Sequence, residues 1–174
     1  TENQRALQHA GIACWGPRQL RAGLFDGLYG AGPVLPPRRD GRAPKRIALR
    51  VEMAAQSGAT TLFVSEENML GTMPRLTQTR RLYPDAGERV ARFAKGFGHH
   101  DLTLGLSIRC YDAFWASVLG WRVRRGGPLP RPALCDRLVT QPRRWRHVVA
   151  DLAQAMPEAR IVVWTYERMG AQAD

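Results

Sequence analysis

A chain of 174 residues, 44% hydrophobic and 8% aromatic, is long enough to bury one domain's core and has no run near the roughly 20 apolar residues of a membrane span. The formal charge is +11 and almost all of it is arginine, since Lys45 and Lys95 are the only lysines among 26 basic residues. Cys14, Cys110 and Cys135 are too scattered for a disulfide framework or a CxxC metal site, and no basic-then-apolar leader precedes them, which predicts a cytoplasmic globular protein with reduced, mostly buried thiols.

Thr1 to Ala10 reads as a helix stopped by Gly11. From Gly11 to Pro44 the chain is rich in Gly and Pro. Leu20, Leu24 and Leu28 are spaced for a short helix within it, and the 36–42 stretch, PPRRDGR, reads as a surface loop or as a basic lid over an anion. Lys45 to Ser57 is an amphipathic helix. Thr60–Val64 is a β-branched and aromatic run of the kind buried in parallel sheets, and it leads into Ser65-Glu66-Glu67-Asn68. Two carboxylates at a strand's carboxyl end suit acid–base work, and the same residues also suit a helix start, with Ser65 as N-cap.

Residues 69–84 read as a loop carrying Arg75, Arg80 and Arg81, a charge run that suits solvated surface or an anionic ligand. Asp85 to Phe97 is a helix with an acidic start, and His99-His100 is a turn with no third ligand at metal spacing. Leu102, Leu104, Leu106 and Ile108 alternate with polar or small residues, a period-two strand that ends at Arg109. Asp112 then opens a helix, and Ser117 falls eight residues after Arg109. An arginine at a strand's carboxyl end lies at the edge where open α/β sheets bind ligands, and arginine's planar fork suits phosphate or sulfate. A GC-rich genome also favours arginine, so the excess alone locates no site. Beyond a basic Gly/Pro connection with Arg122, Arg124 and Arg125, Gln141 to Ala155 is a helix, and Ile161–Trp164 is a buried strand before Tyr166-Glu167.

Strands alternating with helices predict an α/β fold, a parallel sheet with helices on both faces. IRCYDAFWAS resembles the 3′-phosphate-binding motif of PAPS-dependent sulfotransferases, a strand ending in Arg with a Ser eight residues on, and Arg109, Asp112 and Ser117 match it. LFVSEENML is similar to the strand and Ser-Ser-Glu-type turn of bacterial sulfotransferase-like proteins, with Glu66 in place of the middle Ser. ENQRALQHAGIACWGP and the Tyr-Glu after the last strand also resemble that family.

The resemblance implies a three-layer, P-loop nucleotide-hydrolase-like fold, a single domain over 1–174. It implies PAPS or PAP as co-substrate, bound by Arg109 and Ser117, with Glu67 as first choice and Glu66 as second for a general base acting on a hydroxyl or amine acceptor. It also implies that about 20 residues, a strand and the phosphosulfate-binding loop, precede Thr1, and that a further helix follows Asp174. A non-catalytic, nucleotide-binding relative is the alternative. A basic nucleic-acid-binding protein is favoured by charge alone, without an RRM, KH, zinc-finger or helix-turn-helix signature. No metal and no membrane partner are expected, and the acceptor and the oligomeric state are not legible.

Overall fold

The computed structural model describes residues 2–29 and 41–169, so most of the 36–42 basic segment lies outside the described residues. The architecture is α/β, with all strand pairing parallel among the described residues. The chain divides into two compact units, residues 1–70 with 89–100, and residues 71–88 with 101–174. No helix among the described residues is long and apolar enough to cross a membrane.

In the first unit, α1 (Glu2–His9) stops at Gly11, whose positive φ of 71° and close approach to the Thr60 hydroxyl leave no room for a side chain. The Gly11 carbonyl accepts the Thr60 N–H at 2.9 Å, and this turn starts a strand that the hydropathy pattern does not show, β1 (Ile12–Trp15). It pairs with β2 (Thr61–Val64) from Ile12 beside Thr61 to Trp15 beside Val64. Four residues are too few to display a period, and it is the partner strand that makes β1 a strand.

After α2 (Pro17–Gln19), which opens on a proline, a wide π turn covers Leu20–Leu24 and breaks at Gly23. The leucine spacing therefore marks buried positions, Leu20 and Leu28, without one continuous helix. α3 (Ala43–Gln56) buries Ala43 and Ile47 against Trp15, Phe25 and Phe93. Gly96 packs against Ile47, so that a Cβ added to the glycine would lie 2.6 Å from the Ile47 Cδ1 atom and 2.7 Å from its Cβ. Gly96→Ala is therefore expected to overpack this core at a cost of about 1–3 kcal/mol, measured by urea unfolding. An unchanged midpoint would show that α3 shifts at no cost.

In the second unit, α4 (Met73–Thr79) and α7 (Pro132–Thr140) replace the loop and the connection expected there. Pro74 and Pro132 each lie in the first turn of their helix, where the missing N–H would have had no intrahelical partner. α5 (Ala86–Ala94) begins in this unit and ends in the first. β3 (Thr103–Ile108) pairs with a later strand, β4 (Arg160–Thr165), and the two lie within a residue or two of their expected bounds. α6 (Tyr111–Arg124) and α8 (Trp145–Ala155) bury Phe114, Trp115, Val118, Leu119, Trp145, Val148 and Leu152. Tyr83 and Trp145 meet the Phe114 ring edge-on, with centroids 5.6 and 5.4 Å away. A four-residue helix, α9 (Tyr166–Met169), follows β4. Cys110 is exposed, against the expectation of burial, because it is the N-cap of α6.

Candidate functional site

β2 runs out at Val64, and the Ser65 N–H still donates to the Trp15 carbonyl at 2.9 Å, which fixes the turn that follows. No helix starts there, so Ser65 caps none. The Glu66 side chain is fully buried and each of its oxygens accepts two hydrogen bonds. Oε1 takes the Arg21 Nη2 at 2.7 Å and the Asn68 N–H at 2.9 Å, and Oε2 takes the Arg21 Nε at 3.0 Å and the Tyr29 hydroxyl at 2.9 Å. Burial alone would raise this carboxyl. The bonds from Arg21, Asn68 and Tyr29 together outweigh it and hold Glu66 below the ordinary carboxylate range. Burial, with the bond to Glu66, pushes the Tyr29 hydroxyl up.

Arg89 braces the same turn from beneath, donating to the carbonyls of Tyr29 at 2.7 Å, Asn68 at 2.8 Å and Met69 at 3.1 Å. Glu67 differs in every respect. Its side chain is 77% exposed, and it makes one contact, from Arg21 Nη2 to Oε1 at 2.9 Å. Arg21 thus bridges the two carboxylates, and only Glu67 keeps an oxygen without a partner among the described residues.

The other sequence-marked pair lies in the second unit. Arg109 sits between the end of β3 and the start of α6, its carbonyl accepting the Trp145 indole N–H at 2.7 Å and its guanidinium 4.7 Å from the Tyr166 ring centre. Its Nε is buried and has no partner. Ser107, near the end of β3, also has a buried hydroxyl without a hydrogen-bond partner. Buried polar atoms are normally satisfied, so two orphans near a strand's carboxyl end mark a place suited to an oxygen-rich ligand. Ser117 is exposed in the second turn of α6, and Asp112 in its first. The N–H of Cys110 donates to the Glu167 carboxylate at 3.1 Å, which holds that carboxyl below its usual range.

No protein-family model, curated protein or solved structure matches the chain. The carboxylate pair belongs to the first unit and Arg109 with Ser117 to the second.

Sequence reasoning missed Arg21, Tyr29 and Ser107, and it marked Tyr166 only as part of a Tyr-Glu pair after the last strand. Ser107 was within reach, since it lies two residues before Arg109 near the same strand end. Arg21 carries no such signal, because 45 residues separate it from Glu66.

Proposed function

We propose that the chain is a sulfotransferase-like protein that moves a sulfuryl group from PAPS to a hydroxyl or amine acceptor, on a three-layer, P-loop nucleotide-hydrolase-like fold. The observation that supports it most directly is Arg109, a strand-end arginine whose buried Nε lacks a partner, in the strand-turn-helix setting of a 3′-phosphate motif. In this reading Arg109 donates to the 3′-phosphate. Ser117 adds a neutral hydrogen bond. The stacked Tyr166 ring fixes the guanidinium so that little side-chain freedom is lost on binding.

Glu67 is the base. Its free oxygen accepts the acceptor's proton, while the hydrogen bond from Arg21 holds the carboxylate in place. Glu66 positions Arg21 and takes no proton, since each of its oxygens already accepts two hydrogen bonds.

Calorimetric titration with PAP and with AMP tests the phosphate assignment. Arg109→Ala is expected to cost about 1.5–3 kcal/mol of PAP affinity and Ser117→Ala about 0.5–1.5, with no comparable loss for AMP. Equal wild-type affinities for PAP and AMP would sink it. A steep salt dependence with duplex DNA and no response to PAP would move the reading to nucleic acid.

A further inference from the structure

In the second unit, the connection between α6 and α7 combines unpaired positive charge with an exposed apolar point. No acidic residue occurs between Asp112 and Asp136, whereas Arg124, Arg125 and Arg131 are all exposed. None of the three has a carboxylate within 4 Å among the described residues. Between them stands Leu129, 79% exposed, more than any other large apolar side chain among the described residues.

The backbone holds this point out. α6 closes in a turn with Gly126 at φ 80°, and the Gly127 N–H donates back to the Arg122 carbonyl at 3.0 Å. Arg122, in the last turn of α6, and Leu134, in the first turn of α7, line one small cleft, so the connection leaves and returns at one place. Pro128 and Pro130 bracket Leu129: each fixes its own φ, and Pro130 confines the leucine to extended backbone. Such a stiff tip loses little freedom on docking. Basic residues at a helix carboxyl end are favourable on their own, which accounts for Arg124 and Arg125. It does not account for Arg131, the N-cap of α7, where the helix dipole disfavours a cation and the side chain caps nothing. Nor does it account for a leucine set between two prolines and flanked by unpaired arginines.

We propose that residues 124–131 dock on the surface of an anionic lipid bilayer, with Leu129 entering the boundary between headgroups and acyl chains and Arg124, Arg125 and Arg131 meeting the lipid phosphates and carboxylates. The contact is peripheral. The expectation of no membrane partner rested on the lack of a spanning segment, which does not bear on a surface contact. It is also independent of which nucleotide the chain uses. The leucine selects a bilayer over nucleic acid: an aliphatic tip offers bases no ring to stack on and phosphates no donor, but it gains by leaving water for lipid. Arg125 is already steadied for the role, its guanidinium 4.8 Å from the Trp121 ring centre. One leucine and three charges make the binding weak and reversible.

Vesicle flotation of the full chain tests this. Wild type is expected to float with phosphatidylcholine vesicles that contain about one-third phosphatidylserine, to release as salt rises, and to stay behind with phosphatidylcholine alone. Leu129→Ser binds the anionic vesicles roughly tenfold more weakly with an unchanged urea midpoint, because the leucine is exposed in the protein and buried only in lipid. Arg124→Gln, Arg125→Gln and Arg131→Gln each weaken binding roughly threefold to fivefold. Arg131→Gln melts no lower than wild type, since it removes a cation from a helix amino terminus, and this separates binding from folding. Leu129→Ser floating as well as wild type overturns the proposal, as does equal flotation with the two kinds of vesicle. Salt-dependent binding to duplex DNA without flotation assigns the arginines to nucleic acid and overturns it as well.

Discussion

Arg21→Met lowers the stability of the protein by about 2–3 kcal/mol, read as a fall in the urea midpoint. Removing one partner of a buried ion pair typically costs about 3–5 kcal/mol, because the remaining charge is left in a poor solvent. The Glu66 side chain is fully buried, whereas Arg21 retains 42% exposure, so water reaches the gap and the cost falls below that range. Tyr29 and the Asn68 N–H still serve Glu66 in the variant, but neither carries charge. Arg21→Lys keeps the charge and loses the two-pronged contact, so it falls between wild type and Arg21→Met. A methionine variant as stable as wild type would mean that Glu66 protonates or reaches water at little cost.

The same pair sets a pH dependence. The folded Glu66 carboxyl lies below its unfolded value, so its contribution is complete above the ordinary carboxylate range and is lost as pH falls through the folded pKa. Wild type therefore loses midpoint on acidification below about pH 4.5 more steeply than Glu66→Gln, whose side chain does not titrate. Parallel slopes for the two proteins would remove Glu66 from the acid response.

Glu67→Gln is expected to lower turnover with PAPS and a responsive acceptor by roughly two to four powers of ten, with PAP affinity and the urea midpoint nearly unchanged. The amide retains size and exposure but cannot take a proton. Its stability cost is small because the wild-type carboxylate is 77% exposed and makes one contact. Glu66→Gln behaves differently: an amide cannot accept from Arg21 on both arms, so the midpoint falls and turnover falls with it as Arg21 loosens its hold on Glu67. Wild-type turnover in Glu67→Gln would remove that residue from the mechanism. An active Glu67→Gln beside a stable but inactive Glu66→Gln would place the base one residue earlier.

β3 was legible from its period of two and β2 and β4 from their β-branched and aromatic runs, as were α1, α3, α5 and α8 within a few residues. Side-chain alternation and helical spacing are local and need no burial to be read: β2 and β4 were expected to be buried, yet Phe63, Val162, Val163 and Trp164 are exposed among the described residues. The position of Arg109 at a strand end came from the same local pattern. β1 did not, because IACW becomes a strand only when β2 lies beside it in register. Nor did α4 and α7, read as a loop and a connection: each opens on a first-turn proline, a residue that breaks a helix from within and opens one at its start, and neighbouring packing decides which.

The two adjacent glutamates show the limit most plainly. In sequence Glu66 and Glu67 are equivalent. Only the fold brings Arg21 and Tyr29, 45 and 37 residues away, onto the first of them and leaves the second in water. The sequence by itself determined most of the α/β elements, though not β1, α4 or α7, together with the basic charge and the strand-end arginine, since each of these follows from residues close together along the chain. Tertiary structure alone decided which carboxylate is locked and which is open, because solvation and charge pairing depend on neighbours that the chain supplies from afar.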